Sequence, residues 1–142
     1  MSAVEQAILG AALATPELAL EVASKLTPDD FYEPRHHLIH QAITGLVEQG
    51  KPADAVSVAS QLGDDATRVG GAPYVFDRIK AGCVAQSLPH HIETLRGLAT
   101  ARRLEAAGEK IRQLAGTLPP AEAVQQAQGL LDTLVAPDES TA

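Results

Sequence analysis

The chain has 142 residues, 45% of them hydrophobic, which is enough for one domain with a sizeable core. Only 3% are aromatic, and a core built from Ala, Leu, Val and Ile favours packed helices over sheets. The net charge of −7 argues against a protein that coats nucleic acid. A single cysteine excludes a disulfide scaffold and a cysteine-based zinc site. No apolar run has the roughly 20 residues of a membrane span, and no signal peptide opens the chain, so we expect a cytoplasmic protein.

Helix signals dominate the first half of the chain. Ser2 and Glu5 form a capping-box pattern, and apolar residues at helical spacing behind them predict a helix over about 3–14. In a Thr-Pro pair the threonine caps the helix and the proline occupies the first helical position. An aspartate before an apolar run is a cap of the same kind. Further helix starts are predicted at Thr15-Pro16, Thr27-Pro28, Pro34 and Asp54.

The second half is expected to contain longer helices. Residues 63–73 are rich in Gly, Asp and Pro, which predicts a loop before a short helix around Tyr74. A long helix is predicted over about 88–115 and a last one over about 120–135. The predicted fold is therefore all-α, a compact bundle of about five short helices followed by a long antiparallel helical hairpin. The predicted division is a globular part at 1–87, the hairpin at 88–135 and a flexible tail at 136–142.

The last two predicted helices share a spacing typical of paired helices. Apolar residues step by three, four and three along each, and a short turn makes the helices antiparallel neighbours. This seam serves either internal packing alone or a protruding hairpin whose outer surface meets another subunit, and spacing leaves both readings open. The seam residues are Leu104, Ala107, Ile111, Leu114, Val124, Ala127, Leu131 and Leu134, and the candidate oligomer interface is Leu95, Leu98 and Leu130.

Signatures of catalysis are sparse. The sequence has neither a G-x-x-x-x-G-K-[ST] phosphate loop nor a G-x-S-x-G nucleophile turn. His36 and His40 are four residues apart on one predicted helix, as two metal ligands would be, so a metal-dependent enzyme is one alternative. The H-E-x-x-H order is missing because His37 stands at the Glu position. The simpler interpretation is that His36 packs against the preceding turn while the other histidines are solvated.

A further alternative concerns the basic side chains of the long predicted helix. They would meet either DNA phosphates or an acidic partner, and so short a basic run favours neither strongly. The residues concerned are Arg102, Arg103, Lys110 and Arg112.

Several segments in this chain match a known pattern when taken in order. The opening residues 5–13 read Glu-Gln-Ala-Ile-Leu-Gly-Ala-Ala-Leu, and Asp30-Phe31-Tyr32 is followed by a histidine four residues after the tyrosine. Gly70-Gly71 precedes a tyrosine in a Gly-Gly-x-x-Tyr turn, although Pro73 should delay the next helix. Together these segments resemble the N-terminal domain of DnaB-type replicative DNA helicases, over roughly residues 3–135. The structural anchors that the resemblance implies are Phe31, Tyr32, His36, Gly70, Gly71 and Tyr74.

The resemblance implies a non-catalytic scaffold domain. In such helicases this domain dimerises through its hairpin, builds a collar above the motor ring and offers a surface to the DnaG-type primase. We therefore expect self-association as a dimer or a trimer of dimers, with primase and the helicase ring as partners and no contact with DNA or membranes. No cofactor is expected, since ATP and Mg²⁺ would belong to a motor domain whose Walker motif this sequence lacks. The alternative is a stand-alone adaptor or inhibitor that binds a helicase or primase.

Overall fold

The computed structural model describes residues 2–134, and this part of the chain is all-α, as predicted. The chain divides into two compact units, residues 1–99 and 100–142. No helix of the described residues is long and apolar enough to cross a membrane. The α-helices are α1 (Ser2–Ala14), α2 (Pro16–Lys25), α3 (Pro34–Glu48), α4 (Ala55–Leu62), α5 (Ala66–Val69), α6 (Gly71–Ala81), α7 (Leu88–Thr117) and α8 (Pro120–Asp132), with short 3-10 turns at Pro28–Asp30 and Gly63–Asp65.

Helix α1 lies at the centre of the first unit. Five of its residues between Ile8 and Leu13 are buried hydrophobic side chains, so the helix is covered on nearly every side. It packs mainly against α2 and α6, and also against α3. The largest fully buried apolar side chains of the core come from α1, α2, α3, α4, α5 and α7: Ile8, Leu9, Val22, Ile39, Ile43, Val58, Val69, Leu88 and Leu95.

The predicted helix starts at Pro16, at Pro34 and after Asp54 are confirmed, and Thr27-Pro28 begins a short 3-10 turn. The capping box predicted for Ser2 and Glu5 is not supported, because the Glu5 carboxylate bonds Tyr32, Glu33 and His36. Thr15 accepts a hydrogen bond from the backbone N–H of Leu18 at 3.2 Å, and Asp54 accepts one from Ser57 at 2.8 Å. The carboxylate of Asp30 accepts a hydrogen bond from the backbone N–H of Thr27 at 2.8 Å. Each side-chain oxygen satisfies a backbone donor that the first turn of a helix leaves without a partner.

The predicted loop at 63–73 was wrong from residue 66 onward, where most of the chain is helical. Residues 66–69 form α5, and α6 begins at Gly71 rather than near Tyr74. Pro73 does not delay the helix because it lies in the first turn of α6, where a backbone N–H needs no partner inside the helix. Gly70 and Gly71 separate α5 from α6 with φ of +109° and +80°, values that a residue with a Cβ rarely adopts.

The long helix was placed correctly, but the boundary between the units lies within it. Leu88, Ile92 and Leu95 at its start belong to the core of the first unit, which extends to residue 99 instead of 87. The first unit consequently holds six helices and the start of α7, where about five short helices were predicted. Leu95 is 0% exposed, so its place in a candidate oligomer interface was wrong.

The second unit is the remainder of α7 followed by α8, joined by Leu118 and Pro119. So short a link makes the two helices antiparallel neighbours, as the spacing predicted. Leu114 and Ala123, which flank the link, are both buried. The predicted tail at 136–142 lies outside the described residues.

The buried line of the second unit differs from the predicted seam. Ala107 and Leu114 are buried and Ile111 is half-buried, as a seam requires, but Leu104 is 53% exposed. On α8 the predicted Ala127 and Leu134 are half-buried, but Val124 and Leu131 are exposed, and the residue before each of these two lies on the buried line instead. A pair of helices covers only a narrow line on each member, and here the small Ala123 allows the close approach. The less exposed line on α8 is Ala123, Ala127, Leu130 and Leu134, so Leu130 is half-buried within this unit.

Candidate functional site

A buried carboxylate from α1 meets a buried histidine from α3. Nδ1 of His36 lies 2.7 Å from Oε1 of Glu5, and both side chains are 0% exposed. The same carboxylate accepts hydrogen bonds from the backbone N–H groups of Tyr32 at 2.6 Å and Glu33 at 3.3 Å. Glu5 thus holds the segment before α3 against α1, and the buried carboxylate is satisfied by three donors.

The other ring nitrogen of His36 continues the network to α6. Nε2 lies 2.7 Å from the hydroxyl of Tyr74. When a neutral ring carries its proton on Nδ1, which faces the carboxylate, Nε2 is the acceptor and the hydroxyl of Tyr74 donates to it. Burial raises the pKa of the Tyr74 phenol, although the positive charges of Arg78 and Arg35 oppose this. The hydroxyl therefore stays a donor at physiological pH.

Two guanidinium groups cover the ring of Tyr74. The Cζ atoms of Arg35 and Arg78 lie 4.0 Å and 3.8 Å from the ring centroid, which is a cation–π geometry. Arg78 also donates to Oε1 of Gln6 at 2.6 Å and to the backbone carbonyl of Tyr74 at 3.0 Å. Residues of α1, α3 and α6 are therefore joined through one tyrosine.

The Gly70-Gly71 turn sets the position of this tyrosine. A Cβ built on Gly70 would lie 3.2 Å from Cβ of Tyr74, tighter than most contacts of this kind. The turn therefore lets α6 start close beneath the ring, which supports the part that the resemblance implied for Gly70, Gly71 and Tyr74.

The aromatic pair before α3 divides between inside and outside. Phe31 is buried, and its ring centroid lies 5.1 Å from that of His40. Tyr32, in contrast, is 62% exposed, so its side chain does not anchor the core. The segment is held instead by the hydrogen bond from the backbone N–H of Tyr32 to the carboxylate of Glu5. His36 is connected to this backbone through the carboxylate of Glu5, which bonds both.

The two histidines proposed as metal ligands bond different partners. His40 is buried rather than solvated, and its Nε2 donates to the carbonyl of Val22 at 3.3 Å. Burial lowers the pKa of His40, although the bond to Val22 and the charge of Asp30 oppose this. Among the described residues, the cluster whose atoms come close enough for a metal is Glu5, Glu33 and His36. Its shortest contact is a direct hydrogen bond, and the Glu5 oxygens already accept three donors, so this cluster is explained without a metal.

The basic residues named for DNA contact lie on α7 in the second unit. Arg112 forms an exposed ion pair with Glu109 at 2.6 Å, one helical turn away. Arg102 and Arg103 are half-buried, while Lys110 is exposed. An exposed ion pair within one helix contributes little free energy and is common on solvated surfaces, so Arg112 gives no support for a phosphate-binding surface.

One side of the second unit carries several exposed apolar side chains. Successive residues of a helix are rotated by about 100° around its axis. By this rule Leu104 lies to one side of the buried line of α7. Val124 and Leu131 are rotated in the same direction from the buried line of α8. In an antiparallel pair they therefore share one side. Gly108 and Ala115 lie on this side of α7 too, and a Cβ built on Gly108 would meet no atom within 4 Å. We name these five residues, Leu104, Gly108, Ala115, Val124 and Leu131, the hairpin apolar face.

Comparison with known proteins decides the family. The sequence matches the family model described as "DnaB-like helicase N terminal domain" over residues 1–97. The chain belongs to this family. The DnaB N-terminal domain is a non-catalytic domain, and helicase activity lies in the motor domain of DnaB.

Sequence relatives agree with the DnaB assignment. The replicative DNA helicase DnaB of Mycobacterium leprae is 35% identical over 113 residues, which cover 78% of this chain and 19% of that protein. The replicative DNA helicase DnaC of Bacillus subtilis is 36% identical over 112 residues, covering 77% of this chain and 24% of that protein. The chain thus spans a quarter or less of the length of these curated relatives.

Solved structures match nearly the whole chain. The N-terminal domain of DnaB helicase from Mycobacterium tuberculosis has a TM-score of 0.89 at 34% identity, with 95% of this chain and 97% of that chain covered. A DnaB-like replicative helicase, whose structure was described with its interactions with primase, has a TM-score of 0.80 at 23% identity. The match covers 96% of this chain and 32% of that one, and at this identity it shows a shared fold.

Within this DnaB domain, sequence reasoning missed Glu5 as a network residue. Its position three residues after Ser2 resembles a helix cap, and nothing local indicates a partner 31 residues away. The signal that could have found it is an acidic residue on the most apolar helix of the chain. Such a side chain needs buried donors, and a histidine is among the few that can supply one.

Proposed function

We propose that this DnaB N-terminal domain holds copies of a replicative helicase together through its hairpin and presents a docking surface to a DnaG-type primase. The observation that carries the first part is the hairpin apolar face. Leu104, Val124 and Leu131 are 53%, 57% and 44% exposed, although large apolar side chains at such positions are costly to leave in water.

The composition of the hairpin apolar face suits a second copy of the same surface. None of its five residues is charged, and Arg112 beside it is paired with Glu109, so two copies can approach without burying an unpaired charge. Gly108 and Ala115 leave room for the larger leucine and valine side chains of another copy. In a two-fold dimer the same patch of each copy forms the interface, so the assembly closes as a dimer and does not grow into an open chain.

The second part of the proposal, primase docking, is supported by likeness to the DnaB-like helicase whose structure was described with its interactions with primase. Joining several copies raises the local concentration of docking sites without any chemistry in the domain itself. We expect this action in the cytoplasm, without a cofactor and without direct contact with DNA. The chain's net charge of −7 supports this last expectation.

Sedimentation of variants tests the self-association. Leu131→Asp and Val124→Asp place a carboxylate in the hairpin apolar face, and we expect both to convert dimers into monomers with unchanged helical circular dichroism. Gln126→Asp is the matched control, because it lies on the same helix, is exposed, and is rotated to the opposite side. Variants with unchanged mass, or a Gln126→Asp variant that dissociates equally, would contradict the proposal.

Calorimetric titration with a DnaG-type primase from the same organism tests docking. We expect binding to the unmodified chain. A failure to bind while dimers persist would remove the docking part and leave the self-association part standing.

A further inference from the structure

A groove of about 490 Å³ opens beside the start of α3 in the first unit. Phe31 and Leu38 provide an apolar floor, of which Phe31 is almost entirely buried and Leu38 is half-buried. The exposed ring of Tyr32 stands at its edge. The volume fits one bulky apolar side chain and its neighbours, which is the size of an ordinary ligand-binding cleft.

Every titratable side chain that lines this groove, apart from the phenol of Tyr32, is basic. Arg35, His37 and Arg68 contribute to its walls, whereas the chain as a whole carries a net charge of −7. Guanidinium groups bind carboxylates in a fixed, directional geometry, so Arg35 and Arg68 offer two contact points for carboxylates of a partner.

The carboxylates near these groups lie beyond the groove lining. Arg68 meets Asp65 at 3.4 Å, and Arg35 meets Glu33 at 3.2 Å. His37 lies 3.9 Å from Asp29, whose side chain is largely in solvent. The Arg68–Asp65 pair is exposed and contributes little free energy, so a partner carboxylate can exchange with Asp65 at small cost, whereas the Arg35–Glu33 pair is part-buried.

The wall that carries Tyr32 is fixed before any partner arrives. Its backbone N–H is held by the buried carboxylate of Glu5, and Phe31 is packed against His40. A groove that is already ordered loses little conformational entropy on binding. An exposed tyrosine beside arginines is also the composition typical of residues that dominate protein interfaces.

From this groove we infer a binding site for an acidic peptide segment of a partner protein that carries one bulky apolar side chain. The apolar side chain fills the floor on Phe31 and Leu38, and the flanking carboxylates meet Arg35 and Arg68. The groove lies wholly within the first unit, so this inference stands apart from self-association through the hairpin apolar face.

Fluorescence anisotropy with a synthetic peptide tests the site. The probe is a short fluorescein-labelled peptide with a central leucine and two aspartates on each side, added to the full chain. We expect saturable binding that weakens as sodium chloride is raised and at least about tenfold with Arg68→Glu. The matched control is Arg112→Glu, which reverses an equally exposed arginine paired with a carboxylate three residues earlier, outside the groove. In a heteronuclear NMR spectrum, the peptide should shift the amide signals of Tyr32, Leu38 and Arg68.

Several outcomes would overturn the inference. These are no binding at millimolar peptide, equal weakening by Arg112→Glu, or a peptide with lysines in place of the aspartates that binds as tightly. Tight binding of a short oligothymidylate that displaces the peptide and depends on Arg68 would also overturn it, because the occupant would then be a nucleic acid.

Discussion

Nδ1 of His36 and Oε1 of Glu5 lie 2.7 Å apart although the residues are 31 positions apart in the sequence. This one contact joins α1 to α3, and through Tyr74 it reaches α6. The residues that the DnaB resemblance brings together as separate motifs are therefore parts of one buried network. Its task is architectural, because it fixes three helices and the backbone before α3.

Removing the carboxylate should destabilise the fold strongly. Glu5→Ala leaves the N–H groups of Tyr32 and Glu33 and Nδ1 of His36 without their acceptor in a buried place. We expect the free energy of unfolding to fall by about 3–5 kcal/mol, as measured by urea unfolding with circular dichroism. Glu48→Ala, an exposed change at the end of α3, is the control and should stay within about 0.5 kcal/mol. Equal effects of the two substitutions would show that Glu5 is not a network residue.

Tyr74→Phe separates the hydroxyl from the ring. The phenylalanine keeps the ring between Arg35 and Arg78 but removes the hydroxyl that is hydrogen-bonded to Nε2 of His36. We expect a loss of about 1–2 kcal/mol in urea unfolding, and a larger loss for Tyr74→Leu, which also removes the aromatic face. A Tyr74→Phe variant as stable as the unmodified chain would contradict the assigned hydrogen bond.

Gly10 is required by the close approach of α1 to the end of α6. A Cβ built there would overlap the carbonyl oxygen of Arg78 and lie 2.5 Å from Cα of Gly82. Both contacts are with backbone atoms, so Gly10→Ala forces the helices apart. The temperature of unfolding should fall, with a cost of about 2–3 kcal/mol. Gly129→Ala should instead stabilise α8 by up to about 1 kcal/mol, because a Cβ there would meet no atom within 4 Å. A destabilised Gly129→Ala with an unaffected Gly10→Ala would reverse this account of the packing.

His40 should make stability depend on pH. Burial holds its pKa below the ordinary 6.5, so between the two pKa values the unfolded chain binds a proton that the folded chain does not. The stabilisation is present above about pH 6.5 and is lost as the pH falls toward the pKa of the folded state. Proton–carbon NMR of the histidine rings should show His40 titrating below 6.5. A midpoint at or above that value would mean that the ring is not held neutral by burial.

Sequence reasoning succeeded where the signal was local. Thr15-Pro16 and Thr27-Pro28 start helices because the cap and the fixed φ of proline act within a few residues. The Gly70-Gly71 turn was found for the same reason, since its positive φ values require glycine there. The prediction that Pro73 delays the helix was wrong, because the effect of a proline depends on where the helix begins. The neighbouring Gly70-Gly71 turn sets that start.

Sequence reasoning failed where the surroundings of a residue come from distant parts of the chain. Tyr32 and Leu95 were assigned by residue type, and only the packed structure shows that the first is exposed and the second is buried. On α8, Val124 and Leu131 fit an apolar stripe as well as Ala123 and Leu130 do. Spacing cannot choose between two stripes one residue apart, and the choice decides which side of the hairpin is left for a partner.

Self-association is the central claim, and the mass of the unmodified chain in solution tests it most directly. Light scattering across a range of concentrations should give a dimer, or a species near six copies, with a dissociation that follows mass action. A strict monomer at the highest concentration would contradict the claim, because the hairpin apolar face would then remain in water with no second copy to cover it.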